Sequence, residues 1–156
     1  MNNREFRDAM GKFATGITVI TIRDEEQIHG MTVNAFMSVS LEPKLIAISL
    51  GNKTRIYQKL TTHSWFGISV LTKKQKSLAK VFARQQDLSE PIDFACIEEV
   101  PVLPNSMVMF ACKADYTVEA GDHKIVIAEV RDFQINEQEN NPILYYSGSY
   151  STLIDS

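Results

Sequence analysis

The chain has 156 residues, 44% of them hydrophobic and 22% charged, and a net charge of −3 at pH 7. That is the composition of one globular domain able to bury its own core, not of a disordered chain. The slight acidity argues against nucleic acid or an anionic membrane as the main partner, since both need a strong basic patch, and favours a small ligand. The opening MNNREFRDAM has no apolar run that would serve as a signal peptide, and no later stretch is apolar for long enough to span a bilayer, so a cytoplasmic protein is expected. Cys96 and Cys112 form no C-x-x-C pair, and His29, His63 and His123 are scattered. Both thiols therefore read as reduced core residues and no metal is expected.

Residues 3–13 read as an amphipathic helix, with Phe6, Met10 and Phe13 on one stripe that must pack on a sheet or a partner subunit. GITVITI at 16–22 is a β-branched strand, 23–27 a polar turn, and Ile28 the start of the return strand. The stretch 30–50, GMTVNAFMSVSLEPKLIAISL, reads as extended, turned once at Pro43. Alternation puts Thr32, Asn34, Phe36, Ser38 and Ser40 on one side and Val33, Ala35, Met37, Val39 and Leu41 on the other. These strands form an antiparallel meander, with LIAISL covered on both faces. A short helix over 54–60 follows, with Asn52 or Thr54 as N-cap, then a strand over 65–71 and a helix over 75–83. Residues 84–105 contain three prolines and no period, and read as a lid, binding loop or subunit arm. Strands over 106–119 and 123–136, split by a turn at 120–122, and a last strand over 143–146 complete the chain. About seven strands, a few short helices and no βαβ rhythm predict a mainly β protein, an antiparallel barrel with helices outside it.

Three stretches carry chemistry. No charge interrupts 30–41, and its row of hydroxyls and an amide suits the edge of a neutral heterocycle, although taken alone the stretch reads first as a half-buried strand with a Ser/Thr-rich face. Gly51-Asn52-Lys53-Thr54-Arg55 sets two cations and a hydroxyl where a helix begins, the makings of a phosphate clamp or of an ordinary capped helix. Gly121-Asp122 is hairpin chemistry, but His123 opens an otherwise apolar strand. No G-x-G-x-x-G, Walker loop or nucleophile elbow occurs, so a nucleotide would bind without a Rossmann unit.

Together, FRDAMGKFATGITVIT, HGMTVNAFMSVSLEPKL, SLGNKT, VFA at 81–83, AGDH at 120–123 and LYYSGSY resemble the flavin reductase-like family. Its members are the small reductase components of two-component flavin-dependent monooxygenases. The resemblance implies a split β-barrel of Greek-key type in a single domain over 1–156. It implies a homodimer, FAD or FMN as cofactor, NADH (or NADPH) as reductant, and a flavin-dependent oxygenase as partner. Laid onto matching positions, it assigns the flavin ring and ribityl chain to Thr32, Val33, Asn34, Ala35, Ser38, Val39 and Ser40. The phosphate end falls to Ser49, Leu50, Gly51, Lys53 and Thr54, with Phe82 and Ala83 near the flavin. Gly121, Asp122 and His123 match the triplet at the nicotinamide site, where His123 positions the ring, and Tyr146 lies in the matching C-terminal segment. Asn34 stands where many members carry Ser. A non-catalytic flavin-binding, storage or electron-transfer module is the alternative on the same fold, and the triplet argues against an oxidase of phosphorylated pyridine vitamers.

Overall fold

A computed structural model describes residues 1–153. Helix α1 (Asn3–Met10) is capped reciprocally by Asn2 and Glu5 and stops at Gly11, short of the expected residue 13. The strands are β1 (Thr15–Gly16), β2 (Thr18–Asp24), β3 (Gln27–Val33), β4 (Phe36–Leu41), β5 (Lys44–Gly51), β6 (Trp65–Val70), β7 (Ala95–Ile97), β8 (Val100–Val102), β9 (Val108–Ala120), β10 (His123–Ile135), β11 (Ile143–Tyr146) and β12 (Ser149–Thr152). Helix α2 (Arg55–Leu60) lies between β5 and β6, and α3 (Lys76–Phe82) between β6 and β7.

Seven strands form one antiparallel sheet in the order β3-β2-β6-β9-β10-β5-β4. Its two edge strands, β3 and β4, are consecutive in the chain and joined only by Asn34 and Ala35. Three residue steps reach at most about 11 Å, so the sheet must curl until its edges approach. No β3–β4 ladder forms among the described residues, and this seam leaves the barrel split, as the family resemblance implies. The expected meander is therefore corrected: 30–50 is two arms on opposite edges, because the partner of a strand is a non-local choice that alternation does not encode.

The core lies inside the curl. Ile20, Ile22, Ile48, Leu50, Phe66, Ile68 and Val126 are essentially inaccessible, each contributing about 1.5–3 kcal/mol by burial. A second cluster, with Ile17, Val19, Leu71, Leu103 and Ile143, packs around Ala79 of α3. The expected single strand at 16–22 breaks at buried Ile17, where the chain passes from the small β1-β11-β12 sheet to the large one.

Three further expectations change, and a fourth is narrowed. In β4, Met37 is 58% and Leu41 82% exposed while Phe36 packs on the core, the reverse of an apolar face turned inward. A bulge between Ser38 and Ser40 leaves Val39 unpaired, and Met37, Val39 and Leu41 all stay exposed while Phe36 and Ser40 are half-buried. Residues 84–105 are not structureless: β7 and β8 make a hairpin whose Ile97, Val100 and Val102 are buried, and Thr21 donates to the Pro101 carbonyl. Its turn residues Glu98 (φ 50°) and Glu99 (φ 68°) are left-handed without a glycine or asparagine to signal it. Cys112 is buried, its thiol pushed up to about 12 by desolvation, but Cys96 is exposed. Finally, Phe6, Met10 and Phe13 are exposed, so of the two covers expected for the α1 stripe no sheet of this chain supplies one, and the partner subunit is the alternative that is left.

Candidate functional site

Strand β3 is the floor of a groove of about 640 Å³, within the ~300–1,000 Å³ usual for small-molecule sites. Two contacts dock α3 along it. Thr32 Oγ1 donates to the Ala79 carbonyl at 2.7 Å, and the Phe82 ring lies so close to Gly30 that a β-carbon there would stand 2.5 Å from it. Helix α3 then ends in a Schellman motif: Gln85 N–H donates to the Lys80 carbonyl (2.8 Å) and Arg84 N–H to that of Val81 (3.0 Å). Arg84 takes the left-handed position (φ 60°) that glycine normally fills, a strain of about 1 kcal/mol or more.

The other wall is the loop into α2. Thr54 Oγ1 donates to the Gly51 carbonyl (2.8 Å) and accepts from Tyr57 N–H (3.3 Å), so it is the N-cap anticipated from sequence. This arrangement sets Lys53, Thr54, Arg55 and Ile56 along the groove. Behind them, Asp24 Oδ2 lies 2.6 Å from Lys59 Nζ, and Asp24 Oδ1 lies 2.9 Å from His63 Nε2. These partners hold the Asp24 carboxyl below the usual range. His29, on the groove floor, is pushed below its usual 6.5 first by burial and then by Lys59 and Arg55; Asp24, 4.0 Å away, opposes that shift.

Of the residues assigned to cofactor binding, Thr32, Lys53, Thr54, Phe82 and Ala83 line this groove. Val33 and Leu50 send their side chains into the core and offer only main chain. Asn34 and Ala35 form the exposed bend, and Ser38, Val39 and Ser40 lie on edge strand β4; none of them lines the groove. Half-buried Ser49 donates its N–H to the Ala35 carbonyl at 3.1 Å, outside the lining.

The Gly121–His123 turn is not on a remote wall. His123 pairs with Gly51, and Asn52 N–H donates to the Asp122 carbonyl at 3.0 Å, so the triplet abuts the loop that carries Lys53. Gly121 needs its positive φ of 63° to make the turn. His123 Nδ1 lies 2.8 Å from Asp122 Oδ1, and that bond holds the Asp122 carboxyl below its usual range. Both side chains are exposed. Tyr146 is also exposed, with Lys12 Nζ 6.0 Å from its ring centroid, and lies outside the groove lining.

Sequence reasoning missed His29, Gly30, Met31 and Arg84 as groove residues. No local signal marked Arg84: α2 also ends without a glycine, at Thr61, and needs no left-handed residue to do so. A second cavity of about 610 Å³ between α3, 88–93 and 136–139 holds none of the assigned residues and mixes Lys74 with Glu90, Asp93 and Glu139. Among the described residues no group of three or more His, Cys, Asp or Glu could hold a metal, and no helix is long and apolar enough to cross a membrane.

What the groove can hold follows from its lining. Met31, Phe82, Ala83 and Ile28 supply apolar and aromatic surface, Lys53, Arg55 and Arg84 supply positive charge, and no carboxylate is present. A neutral heterocycle bearing phosphate matches both parts, which is the chemistry of a flavin nucleotide. Comparison with known proteins agrees. The flavin reductase like domain matches residues 10–153. An NADH-dependent flavin reductase from a Rhodococcus species is 33% identical over 94% of this chain and 84% of its own. The reductase component of 4-hydroxyphenylacetate 3-monooxygenase from Thermus thermophilus is 31% identical over 96% of this chain and 95% of its own. The solved structure of flavin reductase PheA2 in its native state superposes with a TM-score of 0.95, at 41% identity over 99% of this chain and 100% of that one.

Proposed function

This chain belongs to the flavin reductase-like family, and we propose that it is an NAD(P)H:flavin oxidoreductase that passes hydride from NADH to FAD or FMN and supplies reduced flavin to a partner monooxygenase. The observation that carries this reading is the groove over β3, which joins an aromatic lining to three Lys and Arg side chains with no acid among them.

A flavin bound there supplies a ring able to accept hydride; the residues of this chain bind, orient and exclude water. Met31, Phe82 and Ala83 would cover the ring and keep water from it. Thr32, its O–H committed to the Ala79 carbonyl, would have only its oxygen lone pairs left, to accept from donors on the ring edge. Lys53 and Arg55 would hold phosphate through charge-assisted bonds. His123, steadied by Asp122, would orient the nicotinamide from the turn that abuts the Lys53 loop. Hydride transfer needs two rings in register and a dry site, not a protein acid or base, so positioning is the whole task of these residues.

A homodimer accompanies this reading. The α1 stripe and the apolar residues of edge strand β4, Met37, Val39 and Leu41, are exposed in the single chain, and an uncovered apolar edge is what a partner subunit hides. The single-domain organisation and cytoplasmic placement expected from the sequence belong to the same proposal. The test is to mix protein, flavin and NADH without oxygen and follow loss of flavin absorbance. Bleaching far above the protein-free rate supports the reductase; none with NADH or NADPH would leave a flavin-binding module instead.

A further inference from the structure

The groove holds more positive charge than one phosphate can use. Its twelve lining residues include the cations Lys53, Arg55 and Arg84, with His29 as a further ring donor, and no Asp or Glu, in a chain where 19 acidic residues outnumber 16 Lys and Arg. These groups come from different elements. Lys53 and Arg55 belong to the loop and first turn of α2, Arg84 to the end of α3, and His29 to the β3 floor between them. A monophosphate ester offers three terminal oxygens, which an ammonium and one guanidinium fork already occupy.

Arg84 is the telling residue. It stands in a left-handed position (φ 60°) where glycine would serve the backbone better, closing the Schellman motif of α3. Its exposed side chain lines a groove that contains no carboxylate, so the guanidinium is free to meet a charge on a ligand.

We propose that Arg84, with His29, forms a subsite for a second phosphate, so that the groove selects the dinucleotide FAD over FMN. The proposal rests on the flavin-binding reading and deepens it: Lys53 and Arg55 hold the phosphate next to the ribityl chain, and Arg84 and His29 hold the one that leads to the adenosine.

The experiment is a set of binding titrations at one fixed ionic strength with riboflavin, FMN and FAD, on the wild-type chain, Arg84→Gly and Arg84→Gln. Wild type is expected to bind FAD about tenfold or more tighter than FMN, the value of one charge-assisted contact. Arg84→Gly should erase that advantage while raising the melting temperature, because glycine suits the left-handed backbone. Arg84→Gln should erase the advantage without raising the melting temperature. Equal FAD and FMN affinities in the wild type, or an FAD/FMN ratio unchanged by both variants, would overturn the subsite and leave the flavin reading standing. A loss confined to NADPH, measured against NADH, would assign Arg84 to a nicotinamide nucleotide phosphate and equally overturn it. Failure of all three flavins to bind the wild type would overturn the flavin reading itself.

Discussion

The ring of Phe82 rests against the main chain of Gly30, so close that a β-carbon at residue 30 would lie 2.5 Å from the ring edge. This contact sets the distance between α3 and β3, and so the width of the groove. Gly30→Ala is expected to displace Phe82, cost about 1–3 kcal/mol by overpacking and weaken flavin binding. Gly30→Ala with Phe82→Leu should recover part of the stability without restoring flavin affinity. Chemical denaturation and flavin titration of the two variants, with Phe82→Leu alone as control, measure the coupling.

Protons should accompany ligand binding. His29 is held below its usual 6.5 by burial and by Lys59 and Arg55, with Asp24 opposing. A depressed histidine favours the fold while neutral, so its contribution is full above 6.5 and is lost as pH falls through the lowered folded value. A phosphate arriving beside it opposes the shift and raises the pKa, so FAD binding at a pH just below 6.5 should take up protons. Calorimetry in two buffers of different ionisation enthalpy reads that uptake, and His29→Gln should abolish it.

The β7–β8 turn stores strain that serves no groove residue. Glu98 and Glu99 are both left-handed, the geometry that Asn-Gly adopts readily. Replacing them with Asn and Gly should raise stability by about 1–2 kcal/mol and leave flavin affinity unchanged, as a thermal melt and a titration would show.

His123 tests the nicotinamide side. His123→Ala is expected to lower kcat/KM for NADH by about tenfold or more, a loss of about 1.4 kcal/mol or more, while changing flavin affinity little, since its ring does not line the groove. Anaerobic kinetics at saturating flavin separates the two effects; wild-type kcat/KM in this variant would remove His123 from the mechanism.

Much of this was legible in the chain before its coordinates. The apolar run KIVIAEV, the Thr54 cap and the Gly-Asp turn carry local signals strong enough to place β10, α2 and the triplet. What stayed hidden had no local signal. The β3–β4 seam depends on which distant strands pair, and alternation separates the two faces of β4 without saying which of them, that of Phe36 or that of Met37 and Leu41, turns to the core. The β7–β8 hairpin was masked by a Glu-Glu turn. At the site, the loops were readable and the groove was not, because Gly30, Met31 and His29 become a floor only when α2 and α3 flank them.

The central claim is that flavin lies on the β3 floor between α2 and α3, and hydrogen exchange with and without FAD tests it most directly. Backbone amides at 53–56 and 82–84, with those of 28–32, should exchange more slowly in the complex. Protection confined to the β4 edge at 36–41, with the groove segments unchanged, would contradict this site.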